Sequence, residues 1–251
     1  MPATEQSLDK TRAVNGWFKT THWSVLQDAS GGDPAQAGAA LATLCQAYWY
    51  PLYTYVRRLG HGPEDAKDLV QGFFAKLLEK EYIKSADREK GRFRTFLLTA
   101  LQHYMAHEWN RANRQKRGGG RELLSLDAQD TENRYRSEPM ENMTPERAFE
   151  RRWALTLLEK IRDQLKEDYT ATGKAAVFEQ LEGCLSGASD GRTYFEIGDK
   201  LAMTEGAVKV AVHRLRRRYR ELLRLEIANT VAGEEAVNDE IRHLFAALEA
   251  E

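Results

Sequence analysis

Apolar residues recur at steps of three and four along nearly the whole chain, and this spacing limits the fold more than any other feature. It is clearest in EDAKDLVQGFFAKLLEK, residues 64–80. There Ala66, Leu69, Val70, Phe73, Phe74, Leu77 and Leu78 make one helix face, and Asp65, Asp68, Gln71, Gly72 and Lys76 are expected on the outer one. Leu41, Leu44, Cys45, Tyr48, Trp49, Leu52, Tyr53 and Val56 form a second such face, with Pro51 expected to kink or restart its helix. Phe93, Phe96, Leu97, Ala100, Leu101, Tyr104 and Met105 form a third, and Phe149, Trp153, Leu157, Leu158, Ile161 and Leu165 a fourth. A shorter helix is expected around Val177, Phe178, Leu181, Cys184 and Leu185, and another around Trp23, Val25 and Leu26. Strand alternation of useful length is absent, so the fold class is all-α.

Punctuation divides the chain. Gly31-Gly32-Asp33-Pro34, Gly60-His61-Gly62-Pro63 and Gly118-Gly119-Gly120 each stop a helix pattern. Residues 121–145 are rich in acids, Ser, Thr and Asn, contain Pro139 and Pro145, and read as a flexible acidic linker. The expected layout is an N-terminal tail at 1–19, a helical domain at 20–120, the linker at 121–145, a second helical domain at 146–225 and a helical extension at 226–251. In that extension Val237, Ile241, Leu244, Phe245 and Leu248 supply a face to bury. The expectation is that it completes the small core of the second domain; the sharper alternative sets its acids against Arg216 to Arg220 as a mimic of a polyanion.

Charge becomes informative only when it is located. The 251 residues hold 37 Lys and Arg against 38 Asp and Glu, a balance that by itself argues against a nucleic-acid binder. Yet residues 88–121 contain nine basic residues and two acids, and residues 122–150 contain eight acids and three Arg. Residues 207–220 carry Lys209, Arg214, Arg216, Arg217, Arg218 and Arg220 with no acid, before eight acids and two Arg at 221–251. Two basic blocks, each followed by an acidic one, point to two polyanion-facing surfaces. Membrane insertion and a signal peptide are not expected: every apolar stretch is interrupted by charge, and MPATEQSLDK lacks the basic start and apolar core of a leader. With Cys45 and Cys184 as the only cysteines, neither a disulfide framework nor a metal spacing is present, and the chain reads as cytoplasmic.

Residues 193–220 look like a helix-turn-helix. Phe195, Ile197 and Leu201 face a core from the first helix, Gly198 permits close crossing, and Thr204 suits the N-cap of the second. Val208, Ala211, Val212, Leu215 and Tyr219 make the buried stripe of that second helix, leaving Lys209, Val210, His213, Arg214 and Arg217 outward, with Arg218 beside them. Cations on the early turns of such a helix can reach guanine edges or phosphates in a major groove. The other basic block interleaves cations with aromatics. Lys84, Arg88, Lys90, Arg92, Arg94, Asn110, Arg111, Asn113, Arg114, Lys116 and Arg117 are its candidate DNA contacts, while Phe93, Phe96 and Tyr104 are assigned to the core. His103 and His107, at i and i+4 with Glu108 adjacent, raise a metal-dependent nucleic-acid enzyme as a rival. A third ligand of suitable context is lacking, so no metal, cofactor or catalytic residue is assigned.

The order of these pieces resembles bacterial RNA polymerase sigma factors of the extracytoplasmic-function type, over roughly residues 20–225. The matching stretches run from Tyr48 to Arg58, over EDAKDLVQ at 64–71, over Phe93-Arg94-Thr95-Phe96-Leu97, and from Glu196 to Arg217. The resemblance implies a non-enzymatic specificity subunit whose partners are core RNA polymerase and promoter DNA, with an anti-sigma factor or other regulator as a further partner. It implies that Asp65, Asp68 and Gln71 face the polymerase clamp, that the loop from Lys84 to Arg92 holds a flipped base, and that the helix ending near Lys116 and Arg117 follows the non-template strand. It also implies that Lys209, Val210, His213 and Arg214 read the minus-thirty-five element. Three positions depart from the family pattern: Lys67 and Gly72 stand where acids are usual, and Ala202 where the turn usually has glycine. A stand-alone helix-turn-helix regulator that never binds core polymerase is the alternative.

Overall fold

The computed structural model describes residues 34–77, 91–114, 128–137, 142–185 and 192–249. Every regular element among them is a helix, and none is long and apolar enough to cross a membrane. The expected helix around Trp23 lies outside the described residues, as do Lys84, Arg88, Lys90, Lys116 and Arg117.

The chain divides into two compact units. The first runs to Thr156 and takes up the chain again from Ile227; the second spans Leu157–Glu226.

In the first unit, α1 (Pro34–Arg58) lies against α2 (Pro63–Leu77), and α2 against α3 (Phe93–Arg114). The three stripes read from the sequence meet here. Leu44, Tyr48, Leu52 and Val56 of α1, Val70, Phe73, Phe74 and Leu77 of α2, and Phe93, Leu97 and Leu101 of α3 are all buried. Each such side chain contributes roughly 1.5–3 kcal/mol by leaving water. Contrary to the expectation from Pro51, α1 is one helix of 25 residues that runs through it. A proline inside a helix forfeits one backbone hydrogen bond; Pro51 is itself buried in the core that holds α1. Gly72 is explained by its neighbour. A Cβ placed there would stand 2.2 Å from the Tyr104 hydroxyl, so α2 and α3 approach closely because position 72 has no side chain.

The segment read as a flexible linker contains α4 (Ala128–Ser137), and one of its acids is a structural ligand. Glu132 is buried. It accepts from Tyr53 Oη at 2.6 Å, from Arg57 Nη2 at 2.8 Å and from Arg136 Nε at 3.0 Å. Burial pushes its carboxyl upward, but the hydrogen bonds from Arg57, Tyr53 and Arg136 prevail and hold it below the usual carboxylate range. The Arg57 guanidinium also lies 4.9 Å from the Tyr135 ring centre, and Arg134 lies 4.6 Å from that of Tyr50.

The 27-residue helix α5 (Pro145–Ala171) begins in the first unit and continues into the second. There it is joined by α6 (Ala175–Leu181), a 3-10 turn (Glu182–Cys184), α7 (Tyr194–Leu201) and most of α8 (Glu205–Ala228). Ile161, Leu165, Phe178, Leu181, Ile197, Val208, Val212 and Leu215 form the core, whereas Phe195, expected to face it, is 72% exposed. Thr193 caps α7 in a reciprocal box: its hydroxyl accepts from Glu196 N–H at 3.2 Å, and the Glu196 carboxylate accepts from Thr193 N–H at 2.7 Å.

The last helix, α9 (Glu234–Glu249), corrects the expectation that the extension completes the second core. It belongs to the first unit, where Val237, Glu240 and Leu244 form its buried line. Ile241 and Leu248 are half-buried, and Phe245 is exposed.

Candidate nucleic-acid interface

Helix α3 presents two very different ends. At its start, the Phe93 N–H donates to the Thr230 carbonyl at 3.1 Å, which ties the turn to the chain just before α9. Arg94, expected to touch DNA, is instead 2% exposed. Its guanidinium lies 4.3 Å from the Trp153 ring centre, Nε meets Glu150 Oε2 at 2.5 Å, and Nη1 pairs with the Glu240 carboxylate of α9. Burial lowers the affinity of this guanidinium for its proton, and Glu150 works in the opposite direction. Arg92 is half-exposed and is also engaged, with Nε 2.7 Å from Glu240 Oε2. The His243 ring joins them: Arg92 Nη2 lies 2.8 Å from its Nδ1 and 3.1 Å from its Nε2, and Nδ1 lies 2.7 Å from the Asp239 carbonyl. Two cations of the basic block are therefore spent inside the first unit.

The far end of α3 is open. Trp109 is 68% exposed, an unusual state for the largest aromatic, and Asn110 and Arg111 beside it are exposed as well. Arg111 makes a 3.3 Å ion pair with Glu108 one turn back, a surface contact that costs little to exchange for a phosphate. Asn113 and Arg114 continue the helix; nothing is described of their side chains. An exposed indole followed by amide and guanidinium groups can stack on an unpaired base and hold its backbone.

On α2, Asp65 and Asp68 are exposed as expected. Gln71 is not: it is 7% exposed. It stands at the flank of the apolar arc, beyond Phe74, and packing covers that flank. The outer acidic face thus reduces to Asp65 and Asp68, with half-buried Lys67 between them.

In the second unit, the turn between α7 and α8 is tight. Met203 N–H donates to the Gly198 carbonyl at 2.9 Å and Ala202 N–H to Asp199, with Ala202 in the left-handed region at φ 52°. A Cβ at position 198 would stand 2.6 Å from the Met203 carbonyl oxygen, so glycine is required there. Thr204 caps α8, its hydroxyl accepting from Ala207 N–H at 3.2 Å. Lys209, Val210, His213, Arg214 and Arg217 all face solvent. Lys209 pairs with Glu205 at 2.7 Å and Arg217 with Glu221 at 3.1 Å, both along the helix. Arg218 is exposed too but is turned to the body of its unit, 2.9 Å from Asp168, whose carboxyl it holds below the usual range. Arg216 donates from Nε to the Cys184 carbonyl at 2.8 Å, which fastens α8 to the 3-10 turn.

No set of three metal-ligating side chains comes together among the described residues, and His103 and His107 are exposed. The residues that sequence reasoning missed are acids: Glu240, Glu150 and Glu132, each of which consumes a cation. Glu240 carried a signal. It stands three residues after Val237 and four before Leu244, on the apolar line itself, and an acid in that place has to find a buried partner.

Residues 44–115 match the family model of sigma-70 region 2. The match runs from Leu44 within α1 to the end of α3, the exposed tryptophan included, and supports a sigma-70 family factor. Sigma-70 region 2 is a transcription-factor domain and not an enzyme family. No curated protein and no solved structure matches the chain.

Proposed function

We propose that the chain is a sigma factor of the extracytoplasmic-function type, which recruits core RNA polymerase to promoters and opens them. The observation that carries this reading is the coincidence of the sigma-70 region 2 match with an α3 whose far end exposes Trp109, Asn110 and Arg111. In this reading Asp65 and Asp68 dock on the polymerase clamp. Trp109, Asn110 and Arg111, with Asn113 and Arg114 further along, hold the unpaired strand of the minus-ten element. The second unit works as a helix-turn-helix reader of the minus-thirty-five element: Gly198 and Ala202 set the angle of α8, and Lys209, Val210, His213 and Arg214 meet the major groove. The protein performs no chemistry itself. Its contribution is the free energy of two DNA contacts delivered to an enzyme that lacks them.

Co-purification with core polymerase followed by run-off transcription tests the proposal. Asp68→Lys is expected to abolish core binding with helix content unchanged. Sequence-specific duplex binding without any association with core would establish the stand-alone regulator instead.

A further inference from the structure

We propose that α9 is an internal cover for the start of α3: Glu240 occupies the place of a DNA phosphate against Arg92 and Arg94, and strand binding lifts the helix away.

Glu240 is 1% exposed and reaches both cations, one from each carboxylate oxygen. An ion cluster in that position is a poor choice for stability alone. Removing a carboxylate from water costs several kcal/mol, and apolar residues of similar volume usually do as well or better. Val237 and Leu244 on either side already supply such residues, so the carboxylate replaces what packing would favour. What the carboxylate supplies is exchangeability, because a guanidinium that has left Glu240 is matched equally well by a phosphate.

The two arginines have different parts. Arg94 stays with Glu150 beneath the Trp153 ring and serves as the anchor for Glu240. Arg92 is half-exposed and can turn outward once Glu240 leaves. α9 is also held by buried Val237 and Leu244, by the Arg92–His243 contact and by a 3.3 Å hydrogen bond from Arg151 to the Leu248 carbonyl. Beside α9, Arg92, Arg94, Arg147, Glu150 and His243 line an open cavity of about 280 Å³ together with Met143 and two alanines of α9. The acids of α9 add to the cover, because Glu234, Glu235 and Asp239 are exposed and repel an approaching strand until the helix moves.

This inference rests on the reading of α3 as the strand-binding helix, and the experiment separates the two. The full-length protein is titrated with a fluorescent single-stranded oligonucleotide over a range of salt. Glu240→Gln, nearly isosteric, is expected to bind roughly three- to tenfold more tightly, with a salt slope steeper by about 0.7, as one regained phosphate contact on a single strand would give. In the wild-type protein, hydrogen exchange in α9 should accelerate when the oligonucleotide is added. This second measurement stands whether or not the variant folds. A folded Glu240→Gln protein with unchanged affinity and slope, or α9 exchange unmoved by the oligonucleotide, overturns the cover. Trp109→Ala serves as the control. If it weakens binding while Glu240→Gln is silent, the cover fails and the α3 reading stands. If Trp109→Ala is silent while Glu240→Gln responds, the cover stands and the α3 reading fails.

Discussion

The two basic blocks are close in net charge as sequences, nine cations against two acids and six against none, and differ in what the fold does with them. On α8, Lys209, His213 and Arg214 remain at the surface, and the partners of Lys209 and Arg217 are neighbours along the same helix. At the start of α3, Arg92 and Arg94 are paired with acids about 60 to 150 residues away in sequence. The first arrangement leaves charge at the surface; the second holds it in internal pairs. The difference lies in which face of the helix each cation occupies. Arg94 follows Phe93 into the core, whereas Arg214 stands just before buried Leu215, on the far side of the stripe.

The comparison breaks most visibly at Arg94. Arg94→Met leaves Glu240 buried with half its compensation gone and should cost ~3–5 kcal/mol in thermal or denaturant unfolding. Equal stability would mean that the cluster is not internal. Glu132→Gln is the next largest, at about 1.5–3 kcal/mol, since it weakens hydrogen bonds from Tyr53, Arg57 and Arg136 to a charged acceptor. Its pH dependence has a definite sign. The carboxyl of Glu132 is held below the usual range in the folded protein, so its contribution is complete above that range and is lost as pH falls through the lowered value. Glu132→Gln should therefore flatten the acid limb of the stability curve. Arg214→Ala sharpens the comparison from the other side: stability should stay within about 0.5 kcal/mol, while duplex binding loses ~1–3 kcal/mol with relaxed preference at one base pair. A loss spread evenly over all sequences would make Arg214 a phosphate contact. The smallest effect belongs to the turn. Ala202→Gly relieves a left-handed alanine and should raise the stability of the second unit by at most about 1 kcal/mol.

The same contrast explains how far the sequence was readable. The helices of both units follow from apolar spacing, because α1, α2, α3 and α8 each bury one stripe against neighbours of ordinary type. The turn at Gly198 and the cap at Thr204 were legible for a similar reason: each is a local arrangement in which one residue type does one task. The pairings were not legible. Nothing near Arg94 in the chain names Glu150 or Glu240, and nothing in residues 121–145 sets Glu132 apart from the other acids of that stretch. Only the place of Glu240 on the apolar line marks one of the three as buried; which cations they meet is decided by long-range packing. Gln71 belongs to the same class, a polar residue at the flank of a stripe whose exposure is decided by how wide an arc its neighbours cover.

The enclosure of Glu240 also sets an order of events in time. A ribosome delivers α1 to α3 well before α9, so the first unit cannot be completed until α9 has been made. Until then the start of α3 has Glu150 alone for its arginines, and the turn at Phe93 lacks the Thr230 carbonyl. The second unit, continuous in sequence from Leu157 to Glu226, has no such wait. The contacts that close the first unit are thus among the most distant in the chain, and distant contacts form slowly. A nascent or prematurely terminated chain would carry an assembled second unit attached to an unfinished first one.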